Sequence, residues 1–119
     1  MKSRPIYDAD APITCTADNS EIARRIEQIE RMHTNLAGVE RTDHGVLLRF
    51  PNRPDLEADV RQFTVDEKGC CQFWGFDITI TDEQISLRWD APPTLAEYMD
   101  RLLAHFDSDE PITAASGLL

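Results

Sequence analysis

Two adjacent cysteines, Cys70 and Cys71, follow closely on Glu67 in a chain of 119 residues whose only other thiol is Cys15. Thiolates are soft ligands, and two or three of them suit Zn(II), Cu(I) and, by the same softness, Hg(II) or As(III). Glu67 joins the pair through its spacing. Leu56, Val60, Phe63 and Glu67 recur at intervals of four, three and four, which is one continuous stripe on a helix. The carboxylate therefore prolongs an apolar face, where it needs a partner, a proton or a metal. The alternative is that the last turn lies at the domain edge, with Glu67 solvated or held by a backbone group. Cys70, Cys71 and Glu67 are the first candidates for a metal or metalloid site, with Cys15 as a third thiol.

The same residues limit the chemistry. In a regular strand Cys70 and Cys71 would point to opposite faces; in an irregular helix-to-strand junction they can converge. A structural zinc site usually takes four ligands, often as paired C-x-x-C units, and those pairs are absent. His33, His44 and His105 are isolated in sequence, without an H-x-x-x-H pair. The plain alternative for each cysteine is a small buried hydrophobe. Thiol catalysis is disfavoured, because the end of a helix carries partial negative charge that opposes a thiolate. A Cys70–Cys71 disulfide is conceivable as a redox switch. Three cysteines, an odd number, do not describe a disulfide scaffold, so reduced thiols are expected.

A second constellation is aromatic. Trp74, Phe76 and Trp89 occupy alternating strand positions and are expected as core or as the lining of a small-molecule pocket between sheet and helices. No glycine-rich phosphate loop is present. The formal net charge of −10 argues against nucleic acid, whose phosphates need a basic surface, and against an anionic membrane; it suits solubility, a cation or a basic partner. Arg24-Arg25 is too small a patch to suggest DNA. No apolar run approaches the roughly 20 residues that span a bilayer. Met1 to Pro12 carries no apolar leader segment, so the expected location is cytoplasmic.

The elements that must position these residues follow from periodicity. Residues 1–11 form a polar N-terminal arm, 12–106 one domain, and 107–119 a flexible acidic tail. Ile13–Thr16 is a strand candidate. Asp18 and Glu21 form a capping box before a helix marked by Ile22, Ile26, Ile29 and Leu36, with Gly38 as its stop. Val39–Thr42 and Val46–Phe50 flank the turn-prone Asp43-His44-Gly45. Asn52 and Pro54 open a second helix, which Gly69 ends or loosens. Phe73–Thr81 and the alternating Ile85, Leu87 and Trp89 are strands. Thr94 and Glu97 form a capping box for a last helix with Tyr98, Met99, Leu102 and Phe106 on its apolar side. The order βαββαββα predicts an α+β fold: a largely antiparallel sheet with helices on one face, of ferredoxin-like, split β-α-β topology.

At these residues the chain resembles a small bacterial domain. The segments that carry the resemblance are ITCT at 13–16, GVLLRFP at 45–51 and E-x-x-CC-x-F at 67–73. That domain is associated with heavy-metal-resistance loci and with the effector ends of some MerR-like regulators. The resemblance covers about 12–106 and implies a metal or metalloid link through Cys15, Cys70 and Cys71, with Glu67 in the motif; it implies no reaction. The chain departs from the regulators in having no upstream helix-turn-helix segment. The expected function is thus a non-enzymatic soft-metal or metalloid binding or sensing module. Its rivals are a small-molecule-binding regulatory domain using Trp74, Phe76 and Trp89, a thiol-dependent enzyme, a homodimer formed through the last helix, or a globular protein with structural cysteines.

Overall fold

The computed structural model describes residues 5–11 and 19–108, apart from the side chains of 19–22 and 70. The expected strand Ile13–Thr16, with Cys15, and the Asp18–Glu21 capping box lie outside the described residues. Within them the order is α1 (Asn19–Thr34), β1 (Gly38–Arg41), β2 (Gly45–Pro51), α2 (Pro54–Cys70), β3 (Gly75–Ile80), β4 (Gln84–Asp90), a 3-10 turn (Pro93–Leu95) and α3 (Ala96–Phe106). The α+β class and the alternation of helices with hairpins are as the periodicity predicts.

The four strands make one antiparallel sheet in the order β1-β2-β4-β3. β2 and β3 both run antiparallel to β4, which lies between them, so β2-α2-β3 is a split β-α-β unit. This unit starts at Gly45. Both edges of β2 are occupied, by β1 and by β4, so no further strand can pair there. Strand alternation then sets the core. Val46, Leu48 and Phe50 of β2 and Ile85, Leu87 and Trp89 of β4 are buried, while Leu47, Arg49, Ser86 and Arg88 between them remain partly exposed. The buried side is covered by Ile29 and Met32 of α1, Leu56, Val60 and Phe63 of α2, and Met99, Leu102 and Phe106 of α3.

Cross-links tie α1 to α2, and their numbering runs in opposite directions: Arg25 with Glu67, Gln28 with Asp66 and Arg31 with Asp59. The two helices are therefore antiparallel neighbours. Gly45 sits where β2 enters the sheet; a Cβ there would meet the Trp89 carbonyl oxygen at 1.8 Å. That approach explains why the hairpin needs its glycine.

Several boundaries differ from expectation for local reasons. α1 stops at Thr34, four residues before Gly38, because Thr34 Oγ1 and Asn35 Nδ2 donate to the carbonyls of Glu30 and Arg31 and compete with the helix. α3 starts from the Pro93–Leu95 turn with Leu95 in the cap position and no side-chain cap bond, so Thr94–Glu97 is not a capping box. Nor does Asn52 cap α2: Arg53 holds that position, and Asn52 Nδ2 donates to the Thr81 carbonyl. Pro54 does occupy the first turn. Residues 5–11 are hydrogen-bonded to the domain. Asp8 N–H donates to the Phe73 carbonyl at 3.1 Å, and Ile6 N–H to Asp90 Oδ2 at 3.2 Å. No helix among the described residues is long and apolar enough to cross a membrane.

Candidate functional site

The site is built where α2 gives way to β3. Leu56, Val60, Phe63 and Glu67 line the buried side of α2 as their spacing predicts. Gly69 does not end the helix, which runs to Cys70, leaving Cys71 as its C-cap with its N–H on the Glu67 carbonyl at 2.8 Å. The chain then turns: Trp74 N–H reaches the Cys71 carbonyl at 3.2 Å. The Lys68 ammonium donates to the carbonyls of Gln72 and Trp74, a favourable place for a cation beside a helix C-terminus. Those bonds use backbone groups that a strand would need, so β3 begins at Gly75 and not at Phe73. The irregular junction that convergent cysteines require is present.

Cys71 is 1% exposed and its sulfur is disulfide-bonded. The chain offers two partners, Cys15 and Cys70; Cys15 and the side chain of Cys70 lie outside the described parts. The expectation of reduced thiols therefore fails for Cys71. An odd cysteine count excludes complete pairing, and one bridge with one thiol left over satisfies it.

Glu67 is the second fixed point. It is neither solvated nor capped by backbone. Its Oε2 lies 3.2 Å from Arg25 Nε, with both side chains 5% exposed, and its Oε1 accepts from Trp74 Nε1 at 3.3 Å. Arg25 Nη2 and Glu67 Oε2 have no aligned hydrogen bond among the described residues, so this is a close ion pair without full hydrogen-bond satisfaction. Burial pushes the Glu67 carboxyl up; Arg25 and the Trp74 indole pull it back in part, and Asp66 adds to the rise. Tyr98 of α3 lies in the same field. Burial first, then the charge of Glu67, holds its phenol well above the usual range, against the opposing charges of Arg101 and Arg25.

The aromatic residues are brought together, but chiefly to fill space. Trp89 is buried at the centre, with Phe63, Phe76 and Trp74 at ring-centroid distances of 5.4, 5.4 and 5.2 Å. Trp74 also contacts Phe73 at 4.5 Å and Tyr98 at 5.6 Å. Trp74 and Phe76, without Trp89, border an open cleft of about 320 Å³ shared with Ile6, Val65 and Lys68. Val65 on its rim is 66% exposed.

Two groups escaped the sequence reading. Arg25 belongs to a pair too small to suggest DNA; its position one residue before Ile26 on α1 is the available signal that it borders the apolar stripe. His33 and His105, isolated in sequence, meet at a ring-centroid distance of 4.9 Å, and no local pattern could announce it. Among the described residues no three His, Cys, Asp or Glu side chains form a metal-ligand cluster. Comparison with protein-family models, curated proteins and solved structures finds no match for this chain.

Proposed function

We propose that this chain is a non-enzymatic, cytoplasmic module that binds or senses a soft metal or metalloid ion through its cysteines. One observation carries the reading: the Cys71 sulfur is disulfide-bonded. A disulfide joins two sulfurs directly, so two-electron, two-proton reduction by a thiol donor leaves the buried Cys71 thiol next to a second one. Adjacent thiols are the donor set that Cu(I), Hg(II) and As(III) favour. Cys71 is one ligand; Cys70 and Cys15 supply the other thiols. Glu67 acts as a charge partner and proton acceptor and not as a ligand, because its oxygens face Arg25 and Trp74. The resemblance of ITCT, GVLLRFP and E-x-x-CC-x-F to domains of heavy-metal-resistance regulators points the same way.

The test is native mass spectrometry of the chain with and without prior reduction, titrated with Cu(I), Hg(II), As(III) and Zn(II) under a competing monothiol. The expected result is one retained equivalent of a soft ion in the reduced protein, none in the oxidised protein, and none in Cys70→Ser/Cys71→Ser. Equal retention by the double variant, or no retained ion, overturns the proposal. A second reading, a regulatory domain for a small molecule, is favoured by the cleft beside Trp74 and Phe76. A ligand from a fluorescence screen whose binding is lost in Phe76→Ser would support it, whereas unchanged binding would exclude that cleft.

A further inference from the structure

His33 and His105 stand in the last turns of α1 and α3, and their contact records that these two helices end side by side. The imidazole planes are tilted by 58° with centroids 4.9 Å apart, and Phe106 presses on both rings, at 5.6 Å from His33 and 5.4 Å from His105. His33 faces a cavity of about 330 Å³ whose wall includes Thr34, Leu36, Phe106, Asp107 and Ser108.

The separation has a chemical meaning. A ligating imidazole nitrogen sits about 2.0–2.1 Å from a transition-metal ion, and the ring centroid lies about 1.1 Å further on. Two imidazoles on one ion at angles of about 90–109° then have centroids about 4.5–5.1 Å apart. The pair in this fold lies inside that interval. The surrounding field has the matching sign. Two helix C-termini converge there, each with partial negative charge; Asp107 stands in the cavity wall; and the whole chain carries a formal charge of −10. Imidazole is the side chain that suits Ni(II), Cu(II) and Zn(II).

We propose that His33 and His105 form a two-imidazole site for a borderline divalent transition-metal ion, at the joined C-terminal ends of α1 and α3, with water completing the coordination. Because no third His, Cys, Asp or Glu converges among the described residues, the site exchanges its ion readily and is not a structural zinc site, which takes four protein ligands. It does not depend on the role of the cysteines.

The experiment uses the untagged full chain without reductant, with Ni(II) as the probe. Calorimetry should give one equivalent, and His33→Asn or His105→Asn should each weaken it by at least about tenfold. Cys70→Ser/Cys71→Ser should bind Ni(II) as the parent does. Imidazole nitrogen spectra should show His33 and His105 perturbed together at substoichiometric Ni(II), with His44 unaffected. His33 is half-buried, so His33→Asn keeps the fold and carries the test even if His105→Asn does not. No heat at millimolar Ni(II), unchanged affinity in His33→Asn, or equal perturbation of His44 overturns the proposal.

Discussion

Arg25 of α1 and Glu67 of α2 face each other at 3.2 Å with only 5% of either side chain exposed, one turn before the cysteines begin. Removing two charges from water costs several kcal/mol per ion, and mutual attraction returns that cost in full only with excellent hydrogen-bond geometry. Here Arg25 Nη2 and Glu67 Oε2 lack aligned partners among the described residues. The pair therefore fixes how α1 sits on α2 more than it adds net stability.

Breaking one side of the pair should be costly, and removing both should not. Arg25→Met leaves a buried carboxylate without its counter-charge and should destabilise the protein by about 3–5 kcal/mol. Arg25→Met/Glu67→Leu should return to within about 1 kcal/mol of the parent or exceed it. Urea unfolding of the two variants checks this; a double variant as unstable as the single one would mean that the pair is a net stabiliser.

The raised carboxyl of Glu67 has a pH signature. Its native pKa lies above the ordinary 4.5, chiefly through burial. Between those two values the native state keeps a proton that the unfolded chain has released. Stability should therefore fall as pH rises through that window, and this component is fully recovered below the ordinary value. Glu67→Gln removes the titrating group and should flatten that slope. Urea midpoints measured from mildly acidic to neutral pH decide it; an identical slope in Glu67→Gln would assign the dependence to other groups.

The disulfide of Cys71 can be located by what its loss costs. A link to Cys15 closes a loop of about 56 residues and should contribute about 4 kcal/mol, whereas a link between neighbours constrains almost nothing. With Cys15 as the partner, reductant should lower the melting temperature of the parent and leave Cys71→Ser unmoved, and Cys15→Ser but not Cys70→Ser should reproduce that loss. Insensitivity of the parent to reductant would assign the bridge to the neighbours Cys70 and Cys71, and non-reducing peptide mapping should name the same partner.

Gly75 is the seat of the N-terminal segment. A Cβ there would meet the Ile6 carbonyl oxygen at 2.2 Å and Tyr7 N at 2.5 Å. Gly75→Ala should lift residues 5–8 from the start of β3 at a cost of about 1–3 kcal/mol, the usual penalty of overpacking. Amide exchange at Ile6 and Asp8, whose N–H groups bond to Asp90 and Phe73, should quicken markedly. Unchanged protection would mean that the backbone shifts to accept the methyl group.

Much of the frame was legible because it is local. The stripe from Leu56 to Glu67, the alternation in β2 and β4, and the Asp43-His44-Gly45 turn each report a period of 3.6 or 2, or a turn preference, within a few residues. Boundaries were less legible where side chains compete with backbone bonding, as Thr34, Asn35 and Lys68 do. The candidate site was half legible: the spacing brings Glu67 to a buried face beside Cys70 and Cys71, yet nothing near it names its partner.

By itself the sequence determined the α+β class, the buried stripe that carries Glu67, and the placement of Cys71 at a helix end, since all three depend on neighbours in the chain. Tertiary structure alone decided that Glu67 meets Arg25, that Trp89 is filled in by Phe63, Phe76 and Trp74, and that His33 meets His105. Those contacts join different elements, and they exist only once the order β1-β2-β4-β3 and the antiparallel seating of α1 on α2 are set. The free energy that selects that arrangement belongs to the whole core and has no signature in any short stretch of sequence.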